Sequence, residues 1–379
     1  MNKKEILCYE TDASRIKGKA EKIVFPKKIE EIANIIRTTG FDIVPRGSGT
    51  GVAGGAVPNN SVVVDLSKMN KILGFDRIRK IVHAEAGICI KELNEKLNAV
   101  GFEFPVIPVN DSATIGGMIA LNSFDSRSMK YGKMKDWVEE IEFVNGKGEL
   151  LKTSRADLGD ICGMEGITGI IAVVKLRVIP KIKRSISLFQ SDSIDEILNI
   201  SRRLRTEKDV VALNFFPKSI SEMLGLIEKN HLIIEFDSEK GKIKDESYEK
   251  IIDLKRKVYY SLAENGYYNF EASKFFLDKL KDFILFLEST KTPYFSHLGA
   301  GIIHCFFKDD ETEKQKTIIS AIQKIGGRFE FGFGIKRKNY FEDSEKKIIN
   351  RVKLRYDPFG RLNKGKVIDF EPKVNVGRH

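Results

Sequence analysis

Apolar positions along the first 180 residues switch repeatedly between two periods, which predicts strands alternating with helices. Ile23, Val24 and Phe25 make a short apolar run that Pro26 ends. Ile29, Ile32, Ile35 and Ile36 then recur at helical spacing, predicting a helix over residues 29–38. Phe41 to Val44 reads as a strand that runs into a glycine-rich loop, and Ser61 to Leu66, continuous at Val62-Val63-Val64, reads as a buried strand. Ile78 to Ala86 predicts another strand and Ile90 to Ala99 a helix, while Gly116-Gly117 opens a helix of small residues. Val138 to Val144 and Glu149 to Thr153 are strands joined by the turn Asn145-Gly146-Lys147-Gly148. Ile170 to Ile179 is the last long apolar strand before Pro180. Beyond it glycine thins out and two α+β-like stretches follow, residues 182–229 and 231–307. The expected fold class is therefore α+β, with a boundary near residue 181.

Size and composition narrow the classes. A chain of 379 residues that is 42% hydrophobic and 31% charged can bury a substantial core as an ordinary globular protein. Acidic residues come too early for a secretory leader, and runs such as Ile170-Ile171-Ala172-Val173-Val174 fall short of the roughly 20 residues of a spanning helix. A cytoplasmic location is expected. Cys8, Cys89, Cys162 and Cys305 are scattered without a C-x-x-C pair, which argues against structural zinc, an iron–sulfur cluster or a disulfide framework. The net charge of +11 gathers partly in the C-terminal end, where Lys336, Arg337, Lys338, Lys346 and Lys347 are followed by further basic residues. No aromatic-interleaved basic motif accompanies them, which argues against nucleic acid. An anionic membrane surface or an acidic partner protein suits such a surface, so peripheral contact at the inner face of the membrane is a second expectation.

Gly49-Thr50-Gly51-Val52-Ala53-Gly54 spells G-x-G-x-x-G after a strand. A Rossmann site needs those glycines to open a helix, with an acid some 20 positions on. Here Gly55 and then Pro58-Asn59-Asn60 block a helix, and Asp65 comes too early. A Walker loop is excluded because no Gly-Lys-Ser/Thr follows. What fits is a loop whose successive backbone N–H groups converge on an anion, with glycines permitting left-handed backbone and close approach. Taken alone, the loop also fits a tight turn between strands.

Ordered blocks extend the reading. Pro45-Arg46-Gly47-Ser48-Gly49-Thr50-Gly51, Gly54-Gly55-Ala56-Val57-Pro58 and Val64-Asp65-Leu66-Ser67-Lys68-Met69-Asn70 resemble the FAD-binding signature of the vanillyl-alcohol-oxidase superfamily, the PCMH-type FAD-binding proteins. Within it they are similar to the branch of FAD-linked D-lactate dehydrogenase, the glycolate oxidase flavin subunit and D-2-hydroxyglutarate dehydrogenase. Ala84-Glu85-Ala86-Gly87, Thr114-Ile115-Gly116-Gly117 through Asn122, Lys130-Tyr131-Gly132, Gly163-Met164-Glu165-Gly166 through Gly169-Ile170, and Asp357-Pro358-Phe359-Gly360 through Asn363-Lys364-Gly365-Lys366-Val367 follow in the family's order. The resemblance implies a PCMH-type FAD-binding domain of two α+β subdomains over residues 1–180, a shortened α+β substrate domain over 181–335, and a C-terminal segment, 336–379, that returns to the FAD domain. It implies FAD contacts at Pro45, Arg46, Gly47, Ser48, Gly49, Thr50, Gly51, Gly54, Gly55, Thr114, Gly116, Gly117, Asn122, Tyr131, Glu165, Gly166, Gly169, Ile170, Asn363 and Lys366. Some relatives bond the flavin to a histidine in the glycine loop; Thr50 stands at that place, so the FAD is expected to be non-covalent.

In the second half, Tyr294 to His297 and Ile302 to Phe307 read as strands around a glycine loop. Pairing His297 opposite Ile302 puts His304 on the same face, with diagonal neighbours roughly 7–8 Å apart. Two core histidines with satisfied bonds fit this spacing as well as two ligands do. The family's segment is H-x-G-D-G-N-x-H, whose histidines hold a divalent metal in several members; here Ala300 and Ile302 replace the Asp and Asn, and Phe331-Gly332-Phe333-Gly334 stands where the family has G-E-H-G. The missing carboxylate argues against a bound metal and leaves His297 and His304 as weak ligands. By resemblance His304 or His297 is the base and Arg256 the cation for a substrate carboxylate. The expected activity is oxidation of a small 2-hydroxy acid of the D-lactate or glycolate type, with electrons leaving to a quinone, cytochrome or iron–sulfur protein. Two alternatives stand beside it: a flavin-binding electron-transfer subunit without substrate chemistry, and an oxidase of another alcohol or sugar acid.

Overall fold

The computed structural model describes residues 6–330, 332–338 and 340–372. They form two compact units. The first takes the chain up to Ser123, Lys133–Lys181 and the residues from Gly332 onward, and the second takes Phe124–Gly132 and the stretch from Ile182 to residue 330.

In the first unit, β1 (Lys19–Val24), β2 (Ile43–Arg46) and β3 (Asn59–Asp65) form a parallel sheet in the order β1-β3-β2. Helix α1 (Ile29–Thr38) buries Ile32, Ala33 and Ile36, and its first-turn acids Glu30 and Glu31 and last-turn Arg37 oppose the helix dipole. An antiparallel sheet of order β4-β5-β9-β7-β8 is built from β4 (Ile72–Asp76), β5 (Ile81–Glu85), β7 (Val138–Val144), β8 (Leu150–Thr153) and β9 (Ile170–Arg177). The short strands β6 (Phe102–Glu103) and β10 (Ile179–Pro180) pair beside it. Helices α2 (Ile90–Asn98) and α3 (Ile115–Leu121) complete the core. One expected strand divides differently. Instead of running from Ile78, the chain reverses over Arg77–Lys80 between β4 and β5. Asp76 Oδ1 accepts the Arg79 N–H at 2.8 Å and Lys80 takes a left-handed φ of +55°.

Tail residues close this unit. On the final helix, Asp343–Tyr356, the buried Lys353 ammonium donates to Asp357 Oδ2 at 2.8 Å, Ile167 O at 3.0 Å and Leu362 O at 3.0 Å. Asp357 in turn accepts the Leu362 N–H at 2.8 Å and the Arg361 N–H at 3.2 Å. The β7–β8 turn lies so close that a Cβ on Gly146 would stand 2.2 Å from Asp357 Oδ1. Asp357-Pro358-Phe359-Gly360 is thus a fastening for the tail.

The second unit is one antiparallel sheet of order β11-β13-β12-β15-β16-β14-β17. Its strands are β11 (Ser185–Ser191), β12 (Val210–Phe216), β13 (Asn230–Phe236), β14 (Asn269–Lys274), β15 (Tyr294–His297), β16 (Ile302–Phe307) and β17 (Arg328–Phe329). Period-2 alternation sends Leu213, Phe215, Leu232, Tyr294, Ile303 and Cys305 into an apolar layer with α5 (Ile194–Leu204), α8 (Leu280–Ser289) and α9 (Thr312–Ile325). Phe216, Ile233, Phe295 and Phe306 face the other way, against α6 (Lys218–Met223) and the long α7 (Asp245–Glu264). The excursion Phe124–Gly132 carries the short helix α4 (Ser128–Tyr131) and Arg127, whose buried bonds to Glu235 and Tyr248 hold it in this unit. That excursion and residues 332–335 each group across the boundaries expected from sequence. Gly334 N and Ile335 N are bonded to Glu165 and Ala53 of the first unit.

Replacing Asp357 with Ala is expected to cost about 3–5 kcal/mol in urea unfolding, because the Lys353 ammonium stays buried without its counter-ion. The double variant Lys353→Met, Asp357→Asn should recover part of that loss.

Candidate functional site

Strand β2 delivers Pro45 and Arg46 to the glycine loop. The Arg46 guanidinium is buried and donates to Thr11 O at 2.8 Å, Cys8 O at 3.2 Å and Ala56 O at 3.3 Å. Burial lowers its pKa, and Asp12 and Asp65 oppose that. Arg46 therefore braces the loop from behind. Gly47 has no room for a side chain, since a Cβ would lie 2.1 Å from Thr114 Oγ1. Gly49 has φ +69° and a Cβ there would meet Arg46 Nη2 at 2.4 Å. Among the described residues, nothing accepts a hydrogen bond from the backbone N–H groups of residues 47–54. Glycine turns that aim successive N–H groups together form anion-binding concavities. The loop therefore fits a pyrophosphate.

Residues from distant parts of the sequence converge behind this loop. Gly55 O accepts Lys366 Nζ at 2.9 Å and Asn363 Nδ2 at 3.2 Å, and Asn363 Nδ2 also reaches Glu165 O at 2.6 Å. Glu165 and Asn363 both take left-handed backbone, with φ +48° and +45°. The Glu165 carboxylate accepts the N–H groups of Phe333 at 2.5 Å and Gly334 at 3.0 Å. Burial raises the Glu165 pKa against those two donors. Burial also pushes the Lys366 ammonium down to about 7, opposed by Asp12 and Glu165. Gly166 gives Pro45 passage, since a Cβ would stand 2.7 Å from its Cγ. Thr114 caps α3 by accepting the Gly117 N–H at 3.3 Å, and Gly116 lies against Ala86. Asn122 ends α3 in left-handed backbone. Gly169 packs on Phe143 and Ile170 is a buried residue of β9, so both sit in the core.

In the second unit, the sheet face under α7 carries buried polar groups where alternation alone would place apolar ones. His297 Nδ1 meets Asn214 Oδ1 at 2.7 Å, and His304 Nδ1 meets the Tyr259 hydroxyl at 3.3 Å. The two imidazoles are 4.9 Å apart between centroids, closer than strand geometry alone suggested, and His304 lies flat on Phe295 at 4.5 Å. Burial lowers both pKa values: His304 falls to about 3, and His297 falls well below its ordinary value with help from His304 and Lys255. Both rings are neutral at physiological pH. Beside them Glu235 Oε1 accepts Arg127 Nε at 2.8 Å and the Tyr248 hydroxyl at 2.7 Å. Burial works to raise the Glu235 pKa, but Arg127 and Lys255 prevail and it ends below its ordinary value. The Lys255 ammonium donates to Ser126 Oγ at 3.0 Å and is lowered by burial, with Glu235 opposing.

Arg256, the carboxylate cation expected by resemblance, is 40% exposed in its side chain and stands 4.0 Å from Asp253. Its neighbour Lys255 is the cation that reaches the polar band. Tyr131, expected at the flavin, belongs to the second unit, where its hydroxyl accepts Arg184 Nη2 at 3.4 Å. Glu235, Arg127 and Asn214 had no signal in the sequence, since each sits in an apolar or irregular stretch. No group of three or more His, Cys, Asp or Glu side chains arranged to hold a metal occurs among the described residues. None of their helices is long and apolar enough to cross a membrane.

Residues 20–154 match the family described as FAD binding domain. Over 94% of its length the chain is 26% identical to D-lactate dehydrogenase of Anaerostipes hadrus, covering 91% of that protein. It is 24% identical to D-2-hydroxyglutarate dehydrogenase of Xanthomonas citri pv. viticola, over 92% of this chain and 89% of the relative. Glycolate oxidase subunit GlcD of Bacillus subtilis is 29% identical over 56% of this chain and 48% of its own. The chain contains a PCMH-type FAD-binding domain, and its cofactor is FAD.

Gly49→Val is expected to abolish retention of FAD, read as the loss of visible flavin absorbance from protein that still unfolds cooperatively. Lys366 gives a pH signature. Its folded pKa of about 7 lies below the ordinary 10.5, so the unfolded chain binds the extra proton between those values. Stability of the FAD-free protein should therefore rise from pH 7 toward pH 10, and Lys366→Met should flatten that rise.

Proposed function

We propose that this chain is an FAD-dependent dehydrogenase of a small 2-hydroxy acid of the D-lactate or glycolate type. One observation carries the reading: a buried neutral imidazole with its tautomer fixed, beside a buried ammonium, in a chain that contains an FAD-binding domain. Asn214 Oδ1 accepts from His297 Nδ1, which leaves the lone pair on Nε2. His297 Nε2 is then the base that takes the substrate hydroxyl proton. His304, stacked on Phe295 and bonded to Tyr259, fixes the His297 ring from the side. Lys255 holds the substrate carboxylate, with Arg127 and Glu235 setting its position and charge. FAD, when bound non-covalently, supplies the hydride acceptor. Residues 47–54 hold its pyrophosphate through backbone N–H groups. Electrons leave to a quinone, cytochrome or iron–sulfur protein.

The relatives' names support the substrate class, since each names a short hydroxy acid. A second reading, a flavin-binding electron-transfer subunit, is favoured by Ala300 and Ile302, which stand where the resembled family carries Asp and Asn.

Anaerobic mixing with D-lactate, glycolate, D-2-hydroxyglutarate and the L-isomers of the chiral acids should bleach the flavin with one of them. Flavin that stays oxidised with every acid, yet reduces chemically, would overturn the reading in favour of the second. His297→Gln should slow bleaching by about 10²–10⁴-fold, and Lys255→Met should raise KM at least about tenfold, the worth of one charge-assisted hydrogen bond. With the His297 pKa well below its ordinary value, the base keeps its lone pair as pH falls, so the bleaching rate should hold between about pH 8 and pH 5.

A further inference from the structure

The reversal between β4 and β5 puts an aliphatic side chain where the protein offers it no partner. Ile78 is 94% exposed at the apex of the hairpin, the most exposed large hydrophobic among the described residues. Leu73 on β4 is 47% exposed, and β4 is an edge strand. Val100, 40% exposed, joins them, because Arg77 Nη2 donates to Val100 O at 3.2 Å.

Cations surround this apex. Arg77, Arg79 and Lys80 are all exposed, and Lys181 is brought alongside by its N–H bond to Gly101 O at 3.0 Å. Arg77 is fixed with its guanidinium 5.8 Å from the Phe102 ring centroid. Asp76 is the only acid in residues 71–80, and its carboxylate accepts the Arg79 N–H, so the apex keeps a clear excess of positive charge. The turn is held by that bond and by the left-handed Lys80, so Ile78 is presented on a shaped loop.

We propose that this hairpin tip docks on an anionic lipid bilayer, with Ile78 inserted at the headgroup–acyl boundary and Arg77, Arg79, Lys80 and Lys181 on the lipid phosphates. A convex apex with one aliphatic side chain in a ring of cations suits a deformable, negatively charged surface. A protein partner would instead bury a broader apolar centre. The net charge of +11 draws the molecule toward the same surface. Docking rests on this surface and is independent of the reaction proposed above.

Co-sedimentation of the full chain with phosphatidylcholine vesicles, and with vesicles containing phosphatidylglycerol, tests it. The protein should pellet with the anionic vesicles, at least about tenfold more strongly than with the neutral ones. I78D should lower that partition about tenfold, and so should R79E/K80E, with flavin content and circular dichroism unchanged. Equal partition into both vesicle types would overturn the proposal, as would wild-type partition in I78D. Loss in R79E/K80E alone, with I78D unaffected, would also overturn it, leaving an electrostatic contact with the headgroups and no insertion.

Discussion

A single buried ammonium organises the FAD-binding unit. Lys353 has three donors and three acceptors, and each acceptor belongs to a different stretch: Asp357 at the helix end, Ile167 in the loop before β9, and Leu362 in the tail. An ammonium in a low-dielectric interior is costly unless every proton is bonded and a counter-charge is adjacent, and the neighbouring carboxylate supplies the charge. Fixing Leu362 fixes Asn363, which reaches Glu165 and Gly55, and Lys366, which reaches Gly55 again. The glycine loop is braced by Asn363 and Lys366, more than 300 residues downstream of Gly55.

The first half was legible because its signals are local. Helix α1 and strand β7 fall where the apolar period puts them, and the glycine loop opens no helix, as Gly55 and Pro58 lead one to expect. The boundaries of the hairpin were harder. Ile78 looks like the start of a strand in a hydrophobic pattern, yet Asp76 turns the chain there and leaves it in solvent. The pairing of His297 with Ile302 was legible from the hairpin spacing, and the structure has that register.

The polar band of the second unit was mostly hidden. Asn214 lies in a strand of seven buried residues, and Glu235 sits between Ile234 and Phe236. A sequence pattern treats each as an interruption of an apolar run. Only the fold shows that they share a face with His297 and with Lys255 on α7, and that Arg127 from a separate excursion neutralises the carboxylate. Lys255 and Arg256 are neighbours in a basic run, and helix rotation alone decides which one turns inward.

The order of assembly follows from the way the first unit is divided along the chain. The glycine loop is encoded ahead of the whole second unit, and Lys353, Asp357, Asn363 and Lys366 follow after it. Everything the second unit needs, from Phe124 to β17, has emerged before them. The second unit is therefore complete in sequence before the nucleotide cradle has its tail. A chain interrupted before Lys353 would hold every residue of the second unit's polar band and lack the side chains that brace the glycine loop.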